Sequence, residues 1–409
     1  MRVLVSTWGW RSHFYPLVPL AWALRSAGHD VRVASQPGMM EAITGAGLPG
    51  VPVGPALDFA EVFGNRVGRV ATRAERAASQ PAGIVPAVTA DGGVVRYADA
   101  MLDELVAFGR QFAPDLMVFE PQNLAVPIAA AALGVPAVRQ LWGPDETTQL
   151  DLDRESVLGP LAGRHSVPVA DVRLAGDLTL DPCPPGMQVP LAGPSKPVRF
   201  VPYNGAAVLP RWLWNEPVRP RVCLTWGTMM ASLGLDSGPA AGVDLAAVIA
   251  AVASLDVELV LALDPAQRER LGTLPATVVF PEQPLALQLL LPSCRAIISQ
   301  GGAGTLMTAL AAGVPQLVLP QVSDQHFNAE RLVATGAGLS IPEADADSDT
   351  YSAVVRRLLA QLLGDGLQRS RAAELQASHQ LLPAPAEVVP VLEELANTAR
   401  SESMSGARS

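Results

Sequence analysis

A short glycine-rich turn, Gly301-Gly302-Ala303-Gly304-Thr305, is the part of the sequence best suited to chemistry. The apolar residues Ala296 to Ile298 precede it, and the helix-forming segment Leu306 to Ala312 follows it. This order predicts a buried strand, a tight turn and a helix. Backbone N–H groups at a helix start can close on an anion where side chains are small, and the helix dipole favours the negative charge. The turn predicts a phosphate or diphosphate site, although a turn that only starts a helix would have a similar sequence.

A histidine near the N-terminus is the candidate general base. His13 follows the apolar strand Val3 to Val5 and lies in a polar and aromatic loop. Ligands of open α/β sheets bind at the carboxyl ends of the strands, so this loop is placed to face a cleft. Imidazole has an ordinary pKa of about 6.5 and can accept a hydroxyl proton near neutral pH. A histidine that caps a helix or packs in the interior is the alternative.

The elements that position these residues alternate between strand and helix in both halves of the chain. This alternation predicts an α/β protein with parallel sheets covered on both faces. The pattern Val3 to Gly9 is echoed by Val222 to Gly227, and Ala130 to Pro136 is echoed by Ala309 to Pro315. The repeats favour two similar Rossmann-like domains that face each other.

Prolines mark the connection between the two halves, and we place the domain boundary near Asn215 to Pro220. The predicted domains are residues 1–215 and 216–384. A helix over 385–400 is expected to pack back on the first domain, and 401–409 is expected to be a disordered tail. The segment from Ala71 to Gly93 has no clear period and could be a loop over the cleft or a pair of short helices.

Composition excludes several classes of protein. The 409 residues carry a formal net charge of −10 with no long basic run, which argues against nucleic-acid binding. Three widely spaced cysteines offer neither a disulfide framework nor a metal-binding CxxC pair. The chain begins with a strand-like run rather than a signal peptide, and its apolar segments are too short to enter a membrane. We therefore expect a cytoplasmic protein.

The sequence resembles the GT-B glycosyltransferases, and is most similar to actinobacterial enzymes that attach deoxysugars to polyketide antibiotics. The resemblance covers essentially the whole chain. The residues that carry it are the loop around His13, Gly28 to Val31, Arg139 to Asp145, Val201 to Gly205, and the long motif from Gly301 through Pro315-Gln316, Pro320, Asp324-Gln325 and Asn328-Ala329. The length and fixed spacings of this last motif make it far more specific than its glycines alone.

The resemblance implies an inverting transfer with no metal and no cofactor, from a nucleotide sugar whose carrier is expected to be thymidine diphosphate. It places the catalytic base at His13 and aligns Glu120 with an acidic residue that could orient it, although an exposed strand-end carboxylate is the alternative. Asp324 and Gln325 are the expected sugar-binding residues, with a helix N-cap as the alternative for Asp324. Asp145 is a further acidic candidate that the sequence does not separate from a loop cap.

The remaining site residues come from position and chemistry. Gln300 to Thr305 are expected to hold the donor diphosphate, and Thr228 is a second plausible phosphate contact. The expected acceptor-binding residues are aromatic and suit an apolar aglycone, although core packing would also explain them: Trp8, Trp10, Phe14 and Trp142. Asp151-Leu152-Asp153 and Asp345-Ala346-Asp347 could in principle bind a metal-nucleotide complex, but both are predicted to be solvated loops.

Gln300 departs from the family pattern, because relatives commonly carry a histidine there. The amide of Gln300 can donate a hydrogen bond but cannot become cationic, so stabilisation of the leaving group is in doubt. Three alternatives stay open: a nucleotide-sugar epimerase of the same fold, a nicotinamide oxidoreductase, and a non-catalytic sugar-nucleotide-binding helper. A homodimer and a separate activator protein are both compatible with the resemblance.

Overall fold

The computed structural model describes residues 1–58, 61–62, 88–149, 152–227, 243–271, 273–275, 277–281, 285–321, 323–341 and 348–406. Within them the chain forms two wholly parallel β-sheets, one in each half of the sequence. The predicted α/β class with two Rossmann-like domains is confirmed.

The N-terminal sheet has seven strands in the order β3-β2-β1-β4-β5-β6-β7. Its strands are β1 Arg2–Ser6, β2 Asp30–Ser35, β3 Gly50–Pro52, β4 Leu116–Phe119, β5 Ala137–Gln140, β6 Leu178–Asp181 and β7 Ser195–Pro197. The helices described in this half are α1 Arg11–Phe14, α2 Val18–Ser26, α3 Met40–Gly45, α4 Gly93–Phe112, α5 Ala125–Leu133 and α6 Arg154–Gly163.

The second sheet has six strands in the order β10-β9-β8-β11-β12-β13. These strands are β8 Arg221–Leu224, β9 Glu258–Leu261, β10 Val278–Val279, β11 Ala296–Ser299, β12 Gln316–Val318 and β13 Gly338–Ser340. The helices described here are α7 Leu245–Ala253, α8 Pro265–Arg270, α9 Leu287–Leu290, α10 Ala303–Ala311, α11 Ser323–Thr335, α12 Ser348–Leu363, α13 Leu367–Gln380 and α14 Pro385–Gly406.

Alternating side chains of the central strands fill two separate cores. Met117 of β4 packs with residues of α4, whereas Val118 packs on the opposite face with residues of α2. All four residues of β4 are buried, because helices cover both faces of a parallel sheet. The strand register also determines which segments lie next to each other at the edge of the sheet. Ser6 of β1 pairs with Phe119 of β4, so the segments that follow these two strands leave the sheet side by side.

The proline-rich connection contains structure that the sequence did not predict. Ser195–Pro197 adds β7 to the edge of the first sheet, where a proline without an N–H group is tolerated. Further along, Tyr203 packs against Tyr15 and Trp22 of the first domain. The next residue, Asn204, bonds to the second domain through Thr308 and Gln288, so the connection is attached to both domains.

Helix α14 returns to the first domain and packs against α2. Val388, Val389 and Leu392 are buried in the core that α2 shares with the first sheet. The helix runs to Gly406, six residues further than the expected helix over 385–400, and residues 407–409 lie outside the described part. The ion pair between Arg400 and Asp115, 2.7 Å long, holds the extended end against the domain. In the described residues no helix is long and apolar enough to cross a bilayer.

Removing the buried side chain of Leu392 tests the contribution of α14 to the first domain. Leu392 is fully buried, so Leu392→Ala is expected to lower the free energy of unfolding by about 2–4 kcal/mol through lost contacts and an unfilled cavity. Urea unfolding followed by circular dichroism measures the change. Glu394→Ala, at an exposed position of the same helix, is the control and is expected to change it by less than ~0.5 kcal/mol. Equal effects of the two substitutions would show that the buried face of α14 does not stabilise the domain.

Candidate active site

The glycine turn follows β11 at the carboxyl edge of the second sheet, and Gly302 is the N-cap of α10. Gly301 has a φ of 94°, a left-handed conformation that glycine adopts without strain. A Cβ atom at this position would also lie 2.6 Å from Cγ1 of Val318, so any side chain would clash with the neighbouring strand. The amide N–H groups of the first turn of a helix have no intrahelical acceptor, which leaves Ala303, Gly304 and Thr305 able to donate to an anion.

Polar side chains of α11 and the loop before it hold the turn in place. Asn328 is buried, and its Nδ2 donates to the carbonyl oxygen of Gly301 over 3.0 Å. Gln325 is buried as well, and its Oε1 accepts a hydrogen bond from the N–H of Gln321 over 2.9 Å. This bond holds the loop at Gln321 against the start of α11, and the sugar-binding role of Gln325 stays a prediction.

Gln300 lies just before the turn and packs against a second glycine. Gly227 has a φ of 62°, and a Cβ atom there would lie only 2.1 Å from Nε2 of Gln300. Gln300 is 6% exposed, and its Oε1 has no hydrogen-bond partner within the described residues. Gly227 directly precedes residues 228–242, which lie outside the described part together with the predicted phosphate contact Thr228.

His13 lies in α1, at the carboxyl edge of the first sheet, and faces Glu120 at the end of β4. Nδ1 of His13 is 3.4 Å from Oε2 of Glu120, and the Glu120 side chain is fully buried. The same oxygen accepts a hydrogen bond from the N–H of Gln122 over 2.8 Å. A carboxylate in this place fixes the orientation of the imidazole ring.

Two tryptophans hold the imidazole between them. The ring centroid of His13 lies 4.7 Å from that of Trp8 in an edge-on arrangement and 4.3 Å from that of Trp142 in a tilted one. Trp8 also packs against Tyr97 at 4.5 Å, and Trp10 is half-buried beside the same core. Trp8 and Trp142 are only 4% and 8% exposed, so they form the walls around the histidine rather than an open stacking surface.

Phe14 is placed elsewhere. Its ring is fully buried in the core on the α2 side of the first sheet, next to residues such as Leu17 and Val5. Phe14 follows His13 directly on a helix, where consecutive side chains point in different directions. We therefore remove it from the acceptor-binding set.

The loop after β5 joins the two halves of the site. Gly143 lies so close to α10 that a Cβ atom on it would be 3.2 Å from Cβ of Ala303, the first residue of that helix. Trp142, the residue before it, contacts His13. The structure thus brings the histidine of the first domain and the glycine turn of the second domain to opposite sides of one short loop.

The same loop carries two carboxylates with different environments. Asp145 is buried and pairs with the buried Arg139 at 2.7 Å, so this candidate anchors the loop. Glu146 accepts a hydrogen bond from Gln122 over 2.9 Å and lies within electrostatic reach of Asp324 at the start of α11. Burial and the nearby Asp324 raise the pKa of Glu146 to about 8. Burial also raises the pKa of Asp324, against hydrogen bonds from the backbone and the influence of His13.

No pattern in the sequence indicates Glu146 or Gln122 as site residues. Glu146 follows Asp145 in a loop with no regular period, so only the strand order of the folded sheet shows that it faces the second domain. Asn328 was part of the long motif, and its spacing from Gly301 was the available signal. Asp153 is the N-cap of α6, while Asp151 and the 345–347 segment lie outside the described residues. Within the described residues no group of three or more His, Cys, Asp or Glu side chains could hold a metal ion.

Comparison with known proteins places this arrangement among sugar transferases. The family model "Erythromycin biosynthesis protein CIII-like, N-terminal domain" matches residues 22–227, and the corresponding C-terminal domain model matches residues 246–395. TDP-daunosamine transferase DnrS of Streptomyces peucetius is 37% identical, with 100% of both chains covered. The 10-deoxymethynolide desosaminyltransferase of Streptomyces venezuelae is 36% identical, with 97% of both chains covered.

Solved structures agree with these relatives. Glycosyltransferase VinC, solved in complex with dTDP, superimposes with a TM-score of 0.77 at 33% identity, covering 97% of this chain and 100% of VinC. The spinosyn forosaminyltransferase SpnP gives a TM-score of 0.78 at 33% identity, covering 97% of this chain and 99% of its own. The likeness spans both domains and the connection between them.

Replacing the carboxyl group of Glu146 tests its raised pKa. Glu146 ionises above about pH 4.5 in the unfolded chain but only near pH 8 in the folded one, so the folded state loses stability as the pH rises through this interval. Glu146→Gln keeps the hydrogen bond to Gln122 and cannot ionise. We expect the variant to match the unmodified chain near pH 4 and to be more stable by several kcal/mol near pH 8.5, because one pKa unit corresponds to about 1.4 kcal/mol.

Thermal and urea unfolding between pH 4 and pH 8.5 measure this difference. Glu155→Gln, at an exposed position on α6, is the matched control and is expected to show no such dependence. A difference between Glu146→Gln and the unmodified chain that stays constant across this range would contradict the raised pKa.

Proposed function

The chain belongs to the erythromycin biosynthesis CIII-like family of GT-B glycosyltransferases, and from this premise we propose that it moves a deoxysugar from thymidine diphosphate to a natural-product aglycone with inversion at the anomeric carbon. Relatives named for the transfer of daunosamine and desosamine support the sugar class, and the dTDP complex of VinC supports the carrier. The sugar and the aglycone are to be identified by mass spectrometry, with deoxysugar nucleotides screened against aromatic and macrolide aglycones.

His13 is the proposed general base. With Nδ1 directed at Glu120, the other ring nitrogen is left to accept the proton of the acceptor hydroxyl. As that proton moves to Nε2, the acceptor oxygen bonds to the anomeric carbon and the bond from that carbon to the diphosphate oxygen breaks. Glu120 stabilises the imidazolium that forms, as an orienting carboxylate does in other sites that use histidine as a base.

The glycine turn is the proposed site of the departing diphosphate. Negative charge grows on the leaving oxygens during transfer, so donors fixed beforehand at the start of α10 stabilise the transition state more than the bound substrate. Gln300 can add an amide donor but no positive charge. Asp324 is the proposed contact to the sugar, because it lies at the start of α11 and within electrostatic reach of His13.

The observation that carries this proposal is the approach of Gly143 to Ala303. An acceptor hydroxyl held by His13 and a diphosphate held at the start of α10 would then lie on either side of one short loop. Family membership sets aside the epimerase and oxidoreductase alternatives. A catalytically weak sugar-nucleotide-binding helper is the alternative that experiment must decide.

Loss of the imidazole separates catalysis from binding. His13→Ala is expected to lower the rate of transfer by at least ~100-fold, because the general base is lost, while thymidine diphosphate still binds through the other domain. Product formation by mass spectrometry and titration calorimetry with thymidine diphosphate measure the two effects. His165→Ala, which removes a histidine paired with Asp103 on α4, is the control and is expected to retain activity. Binding of thymidine diphosphate without turnover by the unmodified chain would instead indicate a helper.

We further propose that the donor sugar carries an amino group. Glu146 and Asp324 come from opposite domains, lie within electrostatic reach of each other, and form no ion pair with Lys or Arg in the part of the chain described. A pair of carboxyl groups without a cation is costly when both are ionised. The ammonium group of an aminodeoxysugar would supply the missing charge from the ligand.

A comparison of donors tests this refinement. Glu146→Gln and Asp324→Asn are expected to lower kcat/KM by about 10-fold or more for an amino-substituted thymidine diphosphate deoxysugar, because charge-assisted hydrogen bonds are lost. The loss for the corresponding neutral deoxysugar should be smaller. Glu394→Gln on α14 is the control for loss of a surface carboxylate. Equal losses for both donors would assign the two carboxylates to the hydroxyl groups of the sugar.

A further inference from the structure

The loop between β6 and β7 crosses from the first domain to the second. Met187 is fully buried, and with Cys183 it packs in a cluster formed otherwise mainly by helices of the second domain. Its neighbours in this cluster include Leu306 and Met307 of α10 and Leu332 of α11. The ends of this loop, residues 182–194, continue strands β6 and β7 of the first sheet. Its buried side chains Cys183 and Met187 pack in the second domain.

Arg331 of α11 fixes the backbone of this loop. Its Nε donates to the carbonyl oxygen of Met187 over 3.1 Å, and its Nη2 donates to those of Gly186 over 3.1 Å and Gln188 over 3.3 Å. The planar guanidinium group carries several donors in a fixed geometry, so one side chain can hold three consecutive carbonyl groups. A lysine could not hold all three in the same way.

The side chain of Gln188 then reaches back to the loop that carries Trp142. Its Oε1 accepts from the N–H of Asp145 over 2.8 Å. Its Nε2 donates to Oδ1 of Asp181 over 2.8 Å and lies 3.4 Å from the carbonyl oxygen of Gly143. Gln188 thus bonds to both residues that flank Pro144 in the loop between His13 and the glycine turn.

We propose that Gln188, anchored by Arg331, is a positioning residue that sets the separation between His13 and the diphosphate turn. This inference rests on the proposed roles of those two groups. The connection is continuous, because α11 carries Asp324 at its start and Arg331 two turns later, and Gln188 links Arg331 to the loop whose Trp142 contacts His13. No atom of Gln188 or Arg331 has to touch the substrate for this role.

The hydrogen bonds of Gln188 and Arg331 are important because the reacting groups must be aligned across two domains. The base and the leaving-group site are held by different domains, and a displacement of about 1 Å between reacting groups can cost as much as 100-fold in rate. A hydrogen-bonded bridge that restricts the relative movement of the domains therefore affects the chemical step more than the affinity for the nucleotide, which a single domain binds.

A distance measurement tests the positioning role without any substrate. The three native cysteines are buried, so spin labels can be directed to Thr44→Cys on α3 and Gln361→Cys on α12, two exposed positions in opposite domains. Gln188→Ala and Arg331→Ala are expected to broaden the distribution of distances between the labels. Arg331→Lys keeps one donor group and the positive charge, so it should give a distribution of intermediate width. This variant tests the role of Arg331 even if the alanine variant does not fold.

Arg371→Ala is the matched control, because Arg371 pairs with Glu374 on its own helix α13. It should leave the distribution unchanged. Distributions for Gln188→Ala and Arg331→Ala that match the control would overturn the proposal.

A kinetic measurement separates positioning from a purely structural role. With the donor and acceptor found by the screen, Gln188→Ala is expected to lower kcat about 10-fold or more. Its Kd for thymidine diphosphate should change less than ~2-fold, because the turn itself is intact. The fraction of nucleotide sugar lost to water instead of the aglycone should rise, since a misplaced acceptor competes less well.

Loss of nucleotide binding in parallel with kcat, with no change in the hydrolysed fraction, would overturn the proposal in favour of general destabilisation. If the unmodified chain transfers no sugar, the proposed function fails. The label distances still decide whether Gln188 and Arg331 set the domain separation.

Discussion

The structure depends on one close contact between domains, that of Gly143 with Ala303. His13 and the glycine turn are held by separate sheets, so their chemistry can be combined only where the sheets approach each other. Residues without bulk make this approach possible, since a side chain on Gly143 would meet the first residue of α10 almost at once. Small residues at an interface bring backbones together, and here they place the start of a helix, with its unpaired amides, beside the loop whose Trp142 contacts His13.

The sequence predicted those parts of the site that depend on local order along the chain. A strand, a glycine turn and a helix have recognisable residue preferences, and the long motif after Gly301 reinforced them. Residues joined only by the fold could not be found in this way: Gln188 and Arg331 are 143 positions apart, and Glu146 meets Asp324 only after the domains pack. A motif gives position along the chain but not the direction of a side chain, and Phe14, an expected acceptor residue, has its ring in the core.

The two acidic residues of the Trp142 loop show how neighbouring carboxylates acquire different roles. Asp145 pairs with the buried Arg139 and accepts hydrogen bonds from Thr147, and these contacts stabilise the loop. Removing one partner of such a buried pair leaves an uncompensated charge, which makes the pair a fixed structural element. Burial and the neighbouring carboxyl group of Asp324 raise the pKa of Glu146, and the hydrogen bond from the Gln122 amide opposes this rise only in part. Ionising Glu146 in the folded chain is therefore costly, and the proposed ligand cation would offset this cost.

Gln300 stands where the family resemblance predicts a histidine, and this changes the electrostatics of the proposed diphosphate site. Its amide is held against Gly227, and neither it nor the glycine turn brings a formal positive charge to the proposed diphosphate site. In that proposal the stabilisation comes from oriented dipoles, chiefly the amides that begin α10. Such dipoles are fixed in direction before the reaction and need no proton to act, so their contribution does not change with pH near neutrality. A site built in this way depends more strongly on geometry than one that relies on a cation, because dipolar attraction falls off faster with distance and direction than the attraction of a charge. Under the proposed function, catalysis therefore depends more strongly on the bonds that hold Gly301 to Asn328 and the two domains to each other.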